Sequence, residues 1–107
     1  MEILTRKEEL ILLAIYKLGD DAYGVTIREF IKERTGISIK FGAIYAPLAR
    51  LVRLRFVDSN NTDPVPEPGG RSKIIYRLTK DGINALKRIQ EVNSAMWEDI
   101  PNLTENA

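Results

Sequence analysis

The chain of 107 residues has 16 Lys and Arg side chains but no histidine and no cysteine. Without thiols or imidazoles there is no zinc set, no disulfide, no Cys nucleophile and no His general base. Ser, Thr, Lys, Tyr and the carboxylates remain, yet no pair of them converges at a spacing suited to acid–base work. No catalytic residue, metal site or cofactor is expected, and an enzyme is the weakest reading. The cations point elsewhere. The net charge of +1 hides a gradient: residues 91–107 carry four acids and no base, while the rest holds 16 bases against 11 acids. Gly36 to Val57 contains Lys40, Arg50, Arg53 and Arg55 and no acid. Arg71, Lys73, Arg77 and Lys80 form a second cluster, followed by Asp81. Two basic clusters in one small chain suit a polyanion, through charge-assisted bonds to phosphate. On charge alone, two solvated faces would look the same.

The bounds are those of one domain. An apolar fraction of 44% with 29% charged residues is ordinary for a soluble globular protein. No segment approaches the ~18 apolar residues of a membrane span. Arg6-Lys7 runs straight into Glu8-Glu9, unlike a signal peptide. A cytoplasmic protein with no membrane partner is the expectation.

Periodicity gives the elements that must position the cations. Thr5 and Glu8 form a T-x-x-E capping box ahead of Leu10, Ile11, Ala14, Ile15 and Leu18 at helical spacing. Leu12, Leu13 and Tyr16 add a second apolar face, and Gly19 ends the helix. A second helix covers Tyr23 to Arg34, with Ile27, Phe30 and Ile31 inward, and Gly36 closes it. A third runs from about Gly42 to Leu54, with Ile44, Leu48 and Leu51 as its buried stripe. The period then turns strand-like at Phe56-Val57-Asp58. A Pro- and Gly-rich loop, Asn60 to Gly70, leads to a returning strand with Ile74, Ile75, Tyr76 and Leu78. Thr79 caps a last helix whose Leu86, Ile89, Asn93, Met96 and Ile100 repeat as a heptad seam, and Pro101 stops it near Asp99.

Three helices, a hairpin and one more helix give a mostly α fold with a β-hairpin wing. It reads as a winged helix-turn-helix over residues 1–79, a C-terminal dimerisation helix over 80–100 and a mobile tail over 101–107. In such a domain the helix before the hairpin enters the DNA major groove. Opposite the buried stripe of that helix lie Gly42, Ala46, Ala49, Arg50 and Arg53, flanked by Ala43 and Tyr45. Small residues allow close approach to base edges, and Arg bonds guanine or phosphate. Lys40, Gly42, Ala43, Tyr45, Ala46, Arg50 and Arg53 are therefore candidate DNA contacts. Tyr45 is equally suited to covering the edge of the core.

Four stretches resemble the PadR-like family of transcriptional regulators. They are Leu10-Ile11-Leu12-Leu13 to Leu18 with Tyr23-Gly24; Gly42-Ala43-Ile44-Tyr45 leading to Leu48, Arg50 and Leu51; Gly70-Arg71-Ser72-Lys73; and Tyr76-Arg77-Leu78-Thr79 with Gly82. The resemblance spans about Thr5 to Trp97 and fits the family's short branch. It implies a dimeric winged-helix DNA-binding protein, usually a repressor, whose last helix meets the partner's first helix. Leu12, Leu13, Leu86, Ile89, Asn93, Met96 and Trp97 are then the candidate interface.

Three departures stand out. The family's Tyr-Pro-Ala-Leu is here Tyr45-Ala46-Pro47-Leu48, so either the helix starts late enough to hold Pro47 in its first turn or it bends there. Arg55 stands where a Gly commonly ends that helix, which argues against a left-handed cap. Asp63 and Glu67 at the wing tip shift the expected DNA contact to Arg71 and Lys73 at its base.

Tyr23 and Tyr76 are expected to pack, and Gly70 to serve a turn. Trp97, the only Trp, borders the seam. It reads as an interface anchor or, with Met96, as a wall for a small planar aromatic effector, since some small relatives sense such compounds between their subunits. The alternative to DNA binding is a winged helix used for protein docking, which would more often carry an exposed apolar patch on the third helix.

Overall fold

The first turn of the first helix forms as its sequence implies. In the computed structural model, which describes residues 3–61 and 73–103, helix α1 spans Arg6–Leu18 with Thr5 as its cap. The Glu8 N–H donates to Thr5 Oγ1 (3.1 Å) and the Thr5 N–H donates to Glu8 Oε1 (2.8 Å), so the reciprocal box is complete. Helix α2 follows at Gly24–Thr35 and ends on Gly36 at φ 75°, a left-handed position that glycine takes without strain. A 3-10 turn at Phe41–Ile44 leads into helix α3, Tyr45–Arg53. Strand β1, Val57–Asn61, pairs antiparallel with β2, Ile74–Leu78, placing Val57 opposite Leu78 and Asn61 opposite Ile74. Helix α4 runs over Lys80–Trp97, capped by Thr79.

The core gathers Ile11, Leu12 and Ile15 of α1, Ile27 and Ile31 of α2, and Ile44, Leu48 and Leu51 around α3. Val57 and Tyr76 close it from the hairpin. Desolvation by burial raises the Tyr76 phenol above its ordinary pKa, and nearby Tyr45 adds to this. The Tyr76 N–H donates to the Ala22 carbonyl at 2.8 Å, which fastens the hairpin to the turn between α1 and α2.

Several expectations need correction. Leu12 was placed on a partner-facing side of α1, but its side chain is fully buried. Helix α1 is packed by α2, α3 and α4 together, so the second apolar face divides: Leu12 joins the core, and only Leu13 and Tyr16 stay exposed. The first strand runs to Asn61, overlapping the expected loop. Helix α4 ends at Trp97, with Asp99 at φ 66°, so Ile100 lies beyond the helical seam. Within the seam, Leu86 and Ile89 are half-buried against the chain's own core.

The helix before the wing starts late. Pro47 is the third residue of α3, inside the first turn, where no intrahelical N–H bond is owed. Its end was expected to lack a left-handed cap, yet Arg55 sits at φ 63°. The Phe56 N–H reaches the Leu51 carbonyl (3.1 Å) and the Arg55 N–H reaches Val52 (2.9 Å), a complete Schellman closure built on arginine. The Thr79 hydroxyl also donates to the Arg55 carbonyl at 2.6 Å, holding the residue in place. A left-handed residue with a Cβ costs roughly 1 kcal/mol. Arg55→Gly is therefore expected to leave stability unchanged or raise it by up to ~1 kcal/mol, since glycine's extra unfolded-state freedom offsets part of the gain. Urea denaturation of the two proteins measures it, and a clear loss would show that the arginine side chain stabilises the turn.

Candidate nucleic-acid interface

Burial along the 3-10 turn and α3 sorts their residues into two sides. Ile44, Leu48 and Leu51 are buried, while Gly42, Ala46, Ala49 and Arg53 form an exposed stripe at helical spacing, with Tyr45 beside it. Lys40 caps the 3-10 turn and is exposed. Ala43 is half-buried at its edge. Nothing lies within 4 Å of where a Gly42 side chain would begin, so a flat surface can come close there. No carboxylate occurs on this segment. Lys40 and Arg53 make no ion pair among the described residues.

Arg50 was expected on this face. Its Nη1 instead donates to Glu8 Oε1, a carboxylate of which only 4% of the side chain is exposed. Burial pushes the Glu8 carboxyl up, but the Arg50 guanidinium and the bonds with Thr5 outweigh it and hold the group below its ordinary value. Arg50 thus ties α3 to the first turn of α1, and Arg53 is the arginine left on the exposed stripe. The cause is the 42-residue separation of this pair. In sequence Glu8 already looks satisfied by its capping box.

Tyr45 does cover a packed edge. A side-chain carbon on Gly24 would meet its hydroxyl at 3.0 Å, so the ring lies on the first turn of α2 and keeps 42% of its surface exposed. At the wing base, Lys73 Nζ sits 4.4 Å from the centroid of the Tyr23 ring and 3.4 Å from its hydroxyl. This cation is held at the entrance of α2. Arg71, Gly70, Asp63 and Glu67 lie outside the described residues. Arg77, from the second cluster, pairs with Asp20 at 3.1 Å across an exposed surface.

Sequence reasoning missed a second aromatic. Phe41 is 56% exposed, makes an edge-on contact with Tyr45 (centroids 5.7 Å) and lies 5.4 Å from the Arg28 guanidinium carbon. Arg28 is half-buried on α2. Its Nε donates to the Ile39 carbonyl at 2.8 Å, clamping the segment that leads into the 3-10 turn. The i,i+4 spacing of Phe41 and Tyr45 was the available signal.

The model of the transcriptional regulator PadR-like family matches residues 11–88, more than half of the chain. The chain belongs to the PadR-like family. A PadR family transcription regulator from Clostridium difficile R20291 superposes with a TM-score of 0.66 at 28% identity, covering 90% of this chain and 91% of that one. Bacillus subtilis PadR, solved in complex with operator DNA, gives 0.66 at 27% identity over 78% of this chain and 45% of that one. A PadR-like transcription factor from Bacteroides fragilis reaches 0.75 at 23% identity, over 89% of both chains, and supports the fold. No curated protein matches the chain. The winged-helix PadR-like architecture with its C-terminal helix is thus the expected one. No helix among the described residues is long and apolar enough to cross a membrane.

Proposed function

We propose that this PadR-like chain is a dimeric, sequence-selective DNA-binding repressor that docks the exposed stripe of α3 in the major groove. One observation carries the proposal: Gly42, Ala46, Ala49 and Arg53 line up on an acid-free, closely approachable face. Lys40 at the start of the 3-10 turn and Lys73, held on Tyr23 at the entrance of α2, supply phosphate contacts, which give affinity. Arg53 has the length and fork geometry to bond guanine. The relative solved on operator DNA supports the same use. Repression needs only occupancy of a regulatory site, which this interface provides by itself.

The test is titration of the DNA upstream of the gene at two salt concentrations. Arg53→Ala is expected to cost about 1–3 kcal/mol and to relax selectivity at one position. Lys40→Ala is expected to weaken all duplexes alike and to lower the salt slope by about one. Equal binding by both variants and wild type would overturn the assignment. The protein-docking alternative expects no duplex binding at all.

The dimer rests on α4. From residue 91 to its end the helix is exposed throughout, and Val92, Met96 and Trp97 are open to solvent. Two apolar grooves flank it between Asp81 and Ser94. One, of about 440 Å³, includes Ile3, Phe56 and Val92; the other, of about 490 Å³, includes Leu13, Tyr16 and Ile83. Both reach Ile89 and Asn93. Exposed apolar surface on this scale marks an interaction site. A second copy packing its α4 here makes a two-fold pair, with DNA half-sites about one helical turn apart. Light scattering at micromolar concentration is expected to give about twice the 12.1 kDa of the chain. A monomer mass would contradict it. The finer proposal, a planar aromatic effector against Trp97 and Met96, draws on their exposure of 59% and 74%. Neither residue borders the two grooves, so such a site needs the partner copy to complete it.

A further inference from the structure

Phe41 stands out as an exposed apolar ring that is nonetheless held in place. A single exposed apolar side chain is ordinary on a protein surface, and what sets this one apart is that it is held. Here the ring is fixed from two sides. Tyr45 meets it edge-on one helical turn ahead, and the Arg28 guanidinium sits near it while anchored by its own bond to the Ile39 carbonyl. The 3-10 turn Phe41–Ile44 puts the ring at the leading end of α3, next to Gly42 and between the exposed Lys40 and the stripe that ends in Arg53.

We infer that Phe41 reads a thymine in each half-site by packing against its C5-methyl group. This rests on the proposed docking of α3 in the major groove. The chemistry selects the target. A phenyl ring donates and accepts no hydrogen bond, so it gains nothing from phosphates or from the donors and acceptors of base edges. The only apolar group that projects into the major groove is the thymine methyl. The cations around the ring, Lys40 and Arg28, and the absence of any nearby carboxylate on the segment favour a polyanion over an apolar protein partner. The clamp lowers the entropy lost when the ring is brought against the methyl. Phe41 thereby adds an A·T requirement beside the contact made by Arg53.

The test begins with duplexes selected by the full-length protein from a random-sequence pool. Each thymine is then replaced singly by deoxyuridine, which keeps the base pair and removes only the methyl. Wild type is expected to lose about three- to tenfold in affinity at one position of each half-site, the scale of one buried methyl. Phe41→Ala is expected to lose affinity on the thymine duplex to a similar extent and to be indifferent to deoxyuridine. Phe41→Leu, which keeps an apolar side chain, is expected to retain part of the discrimination, and thermal melting of both variants reports on folding. If wild type ignores every deoxyuridine, or if Phe41→Ala remains as sensitive as wild type, the assignment to Phe41 is overturned while selective binding stands. If no duplex is enriched, the docking of α3 on DNA fails, and the role of Phe41 fails with it.

Discussion

Gly82→Ala is expected to destabilise the protein by about 3 kcal/mol or more, a large share of the roughly 5–15 kcal/mol that holds a domain of this size folded. The cause is steric and local. A Cβ at Gly82 would lie 2.1 Å from the Phe56 carbonyl oxygen and 3.3 Å from a methyl of Leu78. The oxygen belongs to backbone and already accepts a bond from the Thr79 N–H at 3.1 Å. The Phe56 carbonyl is backbone with no flexible end to move, so α4 must shift or the turn after α3 must open. Gly82 is fully within the packed surface, and the Thr79 hydroxyl accepts from its N–H at 3.0 Å, fixing the first turn of α4. The substitution thus disturbs the point where α3, the hairpin and α4 meet. Chemical denaturation gives the magnitude. A loss under 1 kcal/mol would mean that the helix start yields more easily than its contacts imply.

Removing the Arg50 charge is the second large effect. Arg50→Met keeps most of the apolar stem but leaves Glu8 buried without its counter-ion, and a cost of about 2–3 kcal/mol at neutral pH is expected. Solvent reaches the exposed part of Arg50, which places the figure below that of a fully buried pair. Glu8→Gln separates the charge from the cap, because glutamine can still accept from the Thr5 N–H. The pH dependence has a definite sign. Glu8 has a folded pKa below its unfolded one. Its stabilisation is therefore complete above the ordinary carboxylate pKa and is lost as pH falls through the lowered value. Wild type is expected to lose this increment in acid, Glu8→Gln to lack it at every pH, and Arg50→Met to show a smaller acid loss. Parallel pH profiles for all three would remove the ion pair as a source of acid sensitivity.

The elements were largely legible because their signals are local. The Thr5–Glu8 box, the Gly36 stop and the Thr79 cap each depend on residues within one turn, and each forms as expected. The stripe of α3 was legible for the same reason: a 100° period sets Gly42, Ala46, Ala49 and Arg53 opposite Ile44, Leu48 and Leu51. What stayed hidden depends on distant partners. Periodicity cannot tell that Arg50 is turned toward Glu8, that Arg28 reaches the Ile39 carbonyl, or that Phe56 crosses over Gly82. Leu12 failed for a related reason. A second apolar face on a helix says that something covers it, and here α1 is surrounded by its own chain. The left-handed Arg55 shows the limit of residue preference: the Leu51 and Val52 carbonyls and the Thr79 hydroxyl hold a backbone conformation that arginine disfavours.

The docking of α3 on DNA is tested most directly by mapping backbone amides of the labelled protein as a selected duplex is added. Perturbation is expected to concentrate at Lys40 to Gly42, Ala46, Ala49, Arg53 and Lys73, and to spare the exposed end of α4 around Met96. Saturating duplex that leaves the α3 stripe unperturbed, or that moves chiefly Leu13, Tyr16 and the outer half of α4, would contradict it.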